Sequence, residues 1–140
     1  MYKITETYTD YDGNQRTEDF YFHLTKAEIM EFDFLQQGGM EKMIEKIIST
    51  QDRKSLIEIF KTLVIGAYGE KSMDGRRFMK NDEVKQSFIE TEAYSQIFMR
   101  LATDAKAASE FINNIIPKDL QGELKKEQEK VVSITGDNNA

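Results

Sequence analysis

Cysteine is absent from this chain of 140 residues, histidine and proline occur once each, and no apolar run approaches the ~20 residues needed to span a bilayer. Without cysteine, disulfides, thiolate nucleophiles and thiolate metal sites are excluded. With His23 as the single histidine, no histidine pair can grip a metal. The opening Met-Tyr-Lys-Ile-Thr-Glu carries no apolar signal region, so the expected compartment is the cytoplasm in which the chain is made. Basic charge is in deficit, with 19 Lys and Arg against 25 Asp and Glu and a formal charge of −6. Nucleic-acid binders draw most of their affinity from neutralised phosphates. Here the adjacent basic pairs are Arg53-Lys54, Arg76-Arg77 and Lys125-Lys126, which read as solvated surface. We therefore expect no nucleic-acid partner and no membrane.

What is present is globular: 39% hydrophobic and 31% charged residues. The expected fold class is α+β, mostly α. An N-terminal β-hairpin over residues 1–24 leads into a bundle of about five or six short helices over residues 25–118. Together these form one domain, followed by a flexible charged tail over residues 119–140. Tyr2, Ile4 and Tyr8 alternate with Lys3, Thr5, Thr7 and Thr9, the period of a half-buried strand. Asp10 to Asn14 makes the turn. The return strand, near Arg16 to Leu24, sets Phe20, Phe22 and Leu24 on one face and Tyr21 and His23 on the other.

Thr25-Lys26-Ala27-Glu28 is a capping box for a helix to about Phe34. Gly38-Gly39 ends it, and a second apolar stripe runs from Met40 to about Thr50. Asp52 is placed to cap a third helix to Ala67, apolar on more than one side and so expected at the bundle's centre. Tyr68 to Lys80 reads as a loop. Asn81, Thr91 and Thr103 or Asp104 cap three further helices, and Pro117 stops the last.

A search for chemistry finds no workable constellation. His23 reads as a structural or surface residue. Asp10-x-Asp12-x-Asn14 resembles the start of a calcium loop, but Gln15 stands where glycine is required and Tyr21 where glutamate is. Gly66-x-x-Gly69-Glu-Lys-Ser fails the spacing of a phosphate loop. Paired carboxylates such as Asp82-Glu83 sit in helix first turns, where they complement the dipole. No catalytic residue, metal or cofactor is expected.

Methionine is the more informative residue. Met99, beside Phe98, reads as core. Met73 and Met79, around Phe78, read equally as gap-filling core or as an adaptable apolar surface. With the basic pair Arg76 and Arg77 and with Tyr21 on the hairpin, they are the candidate partner-binding residues: Tyr21, Met73, Arg76, Arg77, Phe78 and Met79.

The ordered motifs carry a resemblance. They are the opening Lys-Ile-Thr-Glu-Thr-Tyr strand with its Asp-Tyr-Asp-Gly turn, Arg16 to Glu28, and Ala67-Tyr-Gly-Glu-Lys-Ser-Met-Asp-Gly-Arg-Arg-Phe78. Thr91-Glu-Ala-Tyr-Ser95 and Phe111-Ile-Asn-Asn-Ile-Ile-Pro117 complete the set. Across about residues 1–120 the chain resembles the tail assembly chaperones of long-tailed phages and prophages of Gram-positive bacteria. The resemblance implies a non-enzymatic protein without cofactor. Its partners would be the tape measure protein, which it binds, and tail tube subunits, which it helps recruit. It would act in the host cytoplasm and be absent from the mature virion. Many such proteins also have a longer frameshifted form. The hairpin edge offers a route to a homo-oligomer. The competing readings are a structural virion component, such as a small tail or head-completion protein, and a small regulatory binding protein.

Overall fold

The computed structural model describes residues 1–35 and 53–117. The helix read over residues 40–50, the Asp52 cap and the C-terminal tail lie outside the described residues. Strands β1 (Tyr2–Thr9) and β2 (Gln15–Phe22) form the expected hairpin, in a register that sets Tyr2 opposite Phe22 and Thr9 opposite Gln15. The turn is held by Asp10, whose Oδ1 accepts the backbone N–H of Asp12 (3.0 Å) and of Asn14 (2.9 Å). Gly13 supplies the positive φ, +86°, that the reversal needs. Alternation sends Ile4, Tyr8, Phe20 and Phe22 into the core and leaves the threonines of β1 in solvent.

The segment from Tyr68 to Lys80, expected as a loop, is instead a second hairpin. Strands β3 (Tyr68–Lys71) and β4 (Phe78–Met79) complete an antiparallel sheet in the order β1-β2-β3-β4. Strands of four and two residues carry too few positions for a period of two to register in the sequence. Ser72 and Asp74 tie the turn through the N–H groups of Arg77 (3.0 Å) and Arg76 (3.0 Å), and Gly75 takes φ +76°. Glycine at 69 answers a close approach. A Cβ there would lie 2.8 Å from the Phe78 ring and 2.9 Å from the Met79 carbonyl oxygen. Since the backbone oxygen cannot step aside, Gly69→Ala should cost about 1–3 kcal/mol, read by chemical denaturation.

The helices are α1 (Lys26–Leu35), α2 (Arg53–Ala67), α3 (Asp82–Ile89), α4 (Glu92–Thr103) and α5 (Ala105–Ile115). Their starts are legible chemistry. The Thr25–Glu28 capping box is reciprocal, with N–H bonds of 2.9 and 3.1 Å. Asn81, Thr91 and Asp104 each accept backbone N–H groups of the first turn. Helix α4 packs on α2, α3, α5 and β1 and so lies at the junction of sheet and helices. Its Ala93, Ile97 and Leu101 are buried, as are Ala108, Phe111, Ile112 and Ile115 of α5. Two expectations need correction. Met99 is 54% exposed rather than core, because it lies off the Ile97–Leu101 stripe. Helix α2 buries Phe60, Leu63, Val64 and Ala67 on one face but leaves Ile57 41% exposed, so it flanks the core.

Helix α2 runs into β3 with no intervening loop, so its last carbonyls need partners from elsewhere. His23 N–H reaches the Ala67 oxygen at 2.8 Å. Lys80 Nζ donates to Gly66 O (3.1 Å), His23 O (2.6 Å) and Glu28 Oε2 (2.6 Å). Lys85 Nζ donates to Ile65 O and to Tyr68 O (3.2 Å). Two cations thus take the place of a glycine cap at the negative end of the helix dipole.

Burial lowers the Lys85 ammonium from its ordinary 10.5 to about 8, helped by the nearby Lys80 charge. Unfolding restores the higher value. Between pH 8 and about 10.5 the unfolded chain then holds the extra proton, and this group's contribution to stability rises with pH. The wild type should therefore gain on Lys85→Met in denaturation midpoint from pH 8 to pH 10. A pH-independent difference would count against this account.

Candidate functional site

One face of the sheet packs on the helices and the outer one carries Tyr21 and Phe78, while Met79, one step from Phe78, turns to the inner side with Glu70. On the outer face the strand register sets Lys3, Tyr21 and Gly69 in a row, with Lys71 opposite Phe78 beside them. The Lys71 ammonium lies 4.3 Å from the centre of the Tyr21 ring, and Lys80 Nζ lies 5.6 Å from that of Phe78. Tyr21 and Phe78 are half-buried and flank the glycine. Met79, also half-buried, is register partner to Glu70, and its sulfur faces the Arg77 guanidinium at 3.6 Å. Met73, Arg76 and Arg77 ride the exposed tip between β3 and β4, with Met73 fully exposed. The six candidates therefore gather at one end of the sheet. Met73 is therefore not core. Phe78 and Met79 lie between the two readings.

His23 gives no purchase for acid–base chemistry. Its ring is edge-on to Phe78 at 6.5 Å, and its Nδ1 is buried without a hydrogen-bond partner. Burial, then the N-terminal amine and Lys80, lower its pKa, so it stays neutral further into acid than an ordinary histidine. Among the described residues, no group of three histidine, aspartate or glutamate side chains is placed to hold a metal ion. Nor is any described helix long and apolar enough to cross a membrane.

Two features escaped the sequence reading. The first is Glu6, which is 4% exposed. Arg100 Nη2 meets its two oxygens at 2.5 and 2.6 Å, and Gln96 Nε2 donates to it at 2.8 Å and to the Thr7 carbonyl at 3.0 Å. The signal was available: Glu6 occupies the inward period of Tyr2, Ile4 and Tyr8, where a carboxylate demands a partner.

The second is a cleft of about 470 Å³ where β3 diverges from β2. The two strands pair only at Tyr21–Gly69 and Phe22–Tyr68. Beyond that point the walls are Glu18, Asp19 and Phe20 on one side and Glu70 and Lys71 on the other, with Phe88 among the residues between them. Two phenols hold the carboxylates: Tyr8 donates to Glu18, and Tyr68 to Glu70 at 3.3 Å. The Glu18 bond, then burial, pushes the Tyr8 hydroxyl up to about 12. Burial, then the charges of Glu70 and Glu18, raises that of Tyr68. This hairpin cleft could not be read from the sequence, because β3 itself was not.

The class this defines is a small α+β domain whose open sheet face and cleft offer surface for contact. The family model of phage tail assembly chaperones matches residues 1–140, and the chain belongs to that family. Membership points to a non-catalytic protein that acts with protein partners in tail assembly inside the host. Neither the curated proteins nor the solved structures give a match to the chain.

Proposed function

We propose that the chain binds the tape measure protein, keeps it soluble and helps recruit tail tube subunits to it, in the cytoplasm of the host. The observation that carries this reading is the family match across residues 1–140. The surface is compatible with it. Met30, Met73 and Met99 are exposed at 73%, 108% and 54%, and Tyr11 at 75%, on a chain of formal charge −6. Exposed, unbranched thioethers can mould to many apolar stripes, and net negative charge keeps the complex soluble. Low affinity per copy, multiplied along a long client, allows tight coating and later displacement by tube subunits. The sheet end bearing Tyr21, Met73, Arg76, Arg77, Phe78 and Met79 is the proposed contact.

The test is co-expression with the tape measure protein of the same phage or prophage. The client should stay soluble and co-purify, and less of it should do so with Met73→Ser and Arg76→Ser together. A tape measure that remains insoluble beside the full chain would overturn the reading. Mass spectrometry of purified virions should find the chain missing.

A further inference from the structure

The cleft between β2 and β3 has the form of a vacant strand position. Strand β2 is paired to β1 along its whole length, but on its other side only Tyr21 and Phe22 meet β3. From Gln15 to Phe20 that edge has no strand neighbour among the described residues. The cleft is lined from both faces of the sheet. Phe20 and Glu18 share the inner face with Tyr8, while Asp19 and Tyr21 belong to the outer one. A gap walled by both faces lies in the plane of the sheet, where an added backbone would run.

Charge selects the occupant. On the outer side Asp19 and Lys71 balance. On the inner side Glu18 and Glu70 line the cleft from opposite strands, Glu18 accepting from the Tyr8 hydroxyl and Glu70 from that of Tyr68. Among the described residues Glu70 forms no ion pair, and Glu18 meets only Arg16, at 4.0 Å and half exposed. Below them lie the rings of Phe20, Tyr68 and Phe88, the last two stacked at 4.0 Å. An aliphatic stem over aromatic rings with two carboxylates at its tip suits a lysine or arginine.

We propose that this cleft takes an extended segment of a partner protein as an added strand alongside β2, with one basic side chain entering between Glu18 and Glu70. The inference rests on the reading of the chain as a protein-binding module, and it names the mode: main-chain bonds for affinity and one charged pocket for choice.

The test is an amide chemical-shift titration of the full chain. The probe is a capped eight-residue peptide of alternating valine and threonine with one central lysine. Shifts should concentrate at Gln15 to Phe20, Glu70 and Lys71. The glutamate-for-lysine peptide should bind about tenfold more weakly, and the same peptide N-methylated at alternate amides should not bind. Glu18→Gln with Glu70→Gln should weaken the lysine peptide about fivefold, and added salt should weaken its binding to the wild type. Equal binding of the N-methylated peptide, indifference to the charge reversal, or shifts centred elsewhere would overturn the proposal. Concentration-dependent shifts at the same residues without peptide would give the edge to a second copy of the chain, and would equally overturn it. These peptide arms read the cleft alone, so failure of tape measure capture and failure of the cleft are separate results.

Discussion

Phe22→Ala is expected to remove about 4 kcal/mol of folding stability, read as a lower denaturant midpoint at unchanged slope. Phe22 has no exposed surface, and three rings meet it edge-on: Tyr68 at 5.8 Å and 62°, Phe88 at 5.8 Å and 69°, and Phe111 at 5.3 Å and 73°. Those rings come from β3, α3 and α5, so one side chain of the first hairpin ties together elements from the rest of the chain. Burial of the ring contributes about 2–3 kcal/mol, and each edge-to-face pair adds ~0.5 kcal/mol or more. Truncation also leaves a void. The neighbours belong to a sheet and to two helices fixed by their own caps, so they cannot close together over it. Against a total of about 5–15 kcal/mol, such a loss leaves the domain marginal. Phe22→Leu keeps most of the volume and should cost about 1.5 kcal/mol. An alanine variant within about 1 kcal/mol of wild type would mean that the sheet and helices hold together without this junction.

Which parts of this architecture were legible depends on how local the determining physics is. Helix caps were readable because a hydroxyl, amide or carboxylate oxygen two or three residues from its target N–H is a local fact. Thr25, Asn81, Thr91 and Asp104 all act where the sequence placed them. The long hairpin was readable because β1 shows its period over all eight residues and the Asp10–Asn14 turn is followed by Phe20 and Phe22 in β2. The short hairpin was not, since Tyr68 and Gly69 owe their strand conformation to pairing with β2, which is distant in sequence. The same holds for the site. Gathering Tyr21 with Phe78 at one sheet end needs a register between segments 57 positions apart, and no pattern within either one supplies it. Met99 was misplaced for a subtler reason. Its neighbour Phe98 is half-buried, but one step along a helix turns a side chain by about 100°, toward solvent in this case.

Arg100→Met should cost about 3 kcal/mol, although the arginine side chain is itself 45% exposed. The loss arises at its partner. Glu6 is 4% exposed, and without the guanidinium its carboxylate keeps a single hydrogen bond, from Gln96. A buried carboxylate deprived of its cation is left uncompensated in a site that water does not reach, which is the source of the penalty. The cost is read as a fall in denaturant midpoint at unchanged slope. Glu6→Leu should cost less, about 1 kcal/mol, because the freed arginine can reach water and the leucine suits its apolar neighbours. The double variant Glu6→Leu with Arg100→Met should then lie within about 1 kcal/mol of wild type, for a coupling of at least ~3 kcal/mol. That result would locate the value of the pair in register rather than in net stability. Glu6 stands opposite Glu18, between Ile4 and Tyr8. A slip of two residues would keep Glu6 inward but carry it to the place of Ile4 or Tyr8, away from Arg100 and Gln96. A buried charge that only one helix can neutralise penalises that slip more sharply than any leucine could. The double variant should thus keep its midpoint but show a second set of hairpin amide resonances.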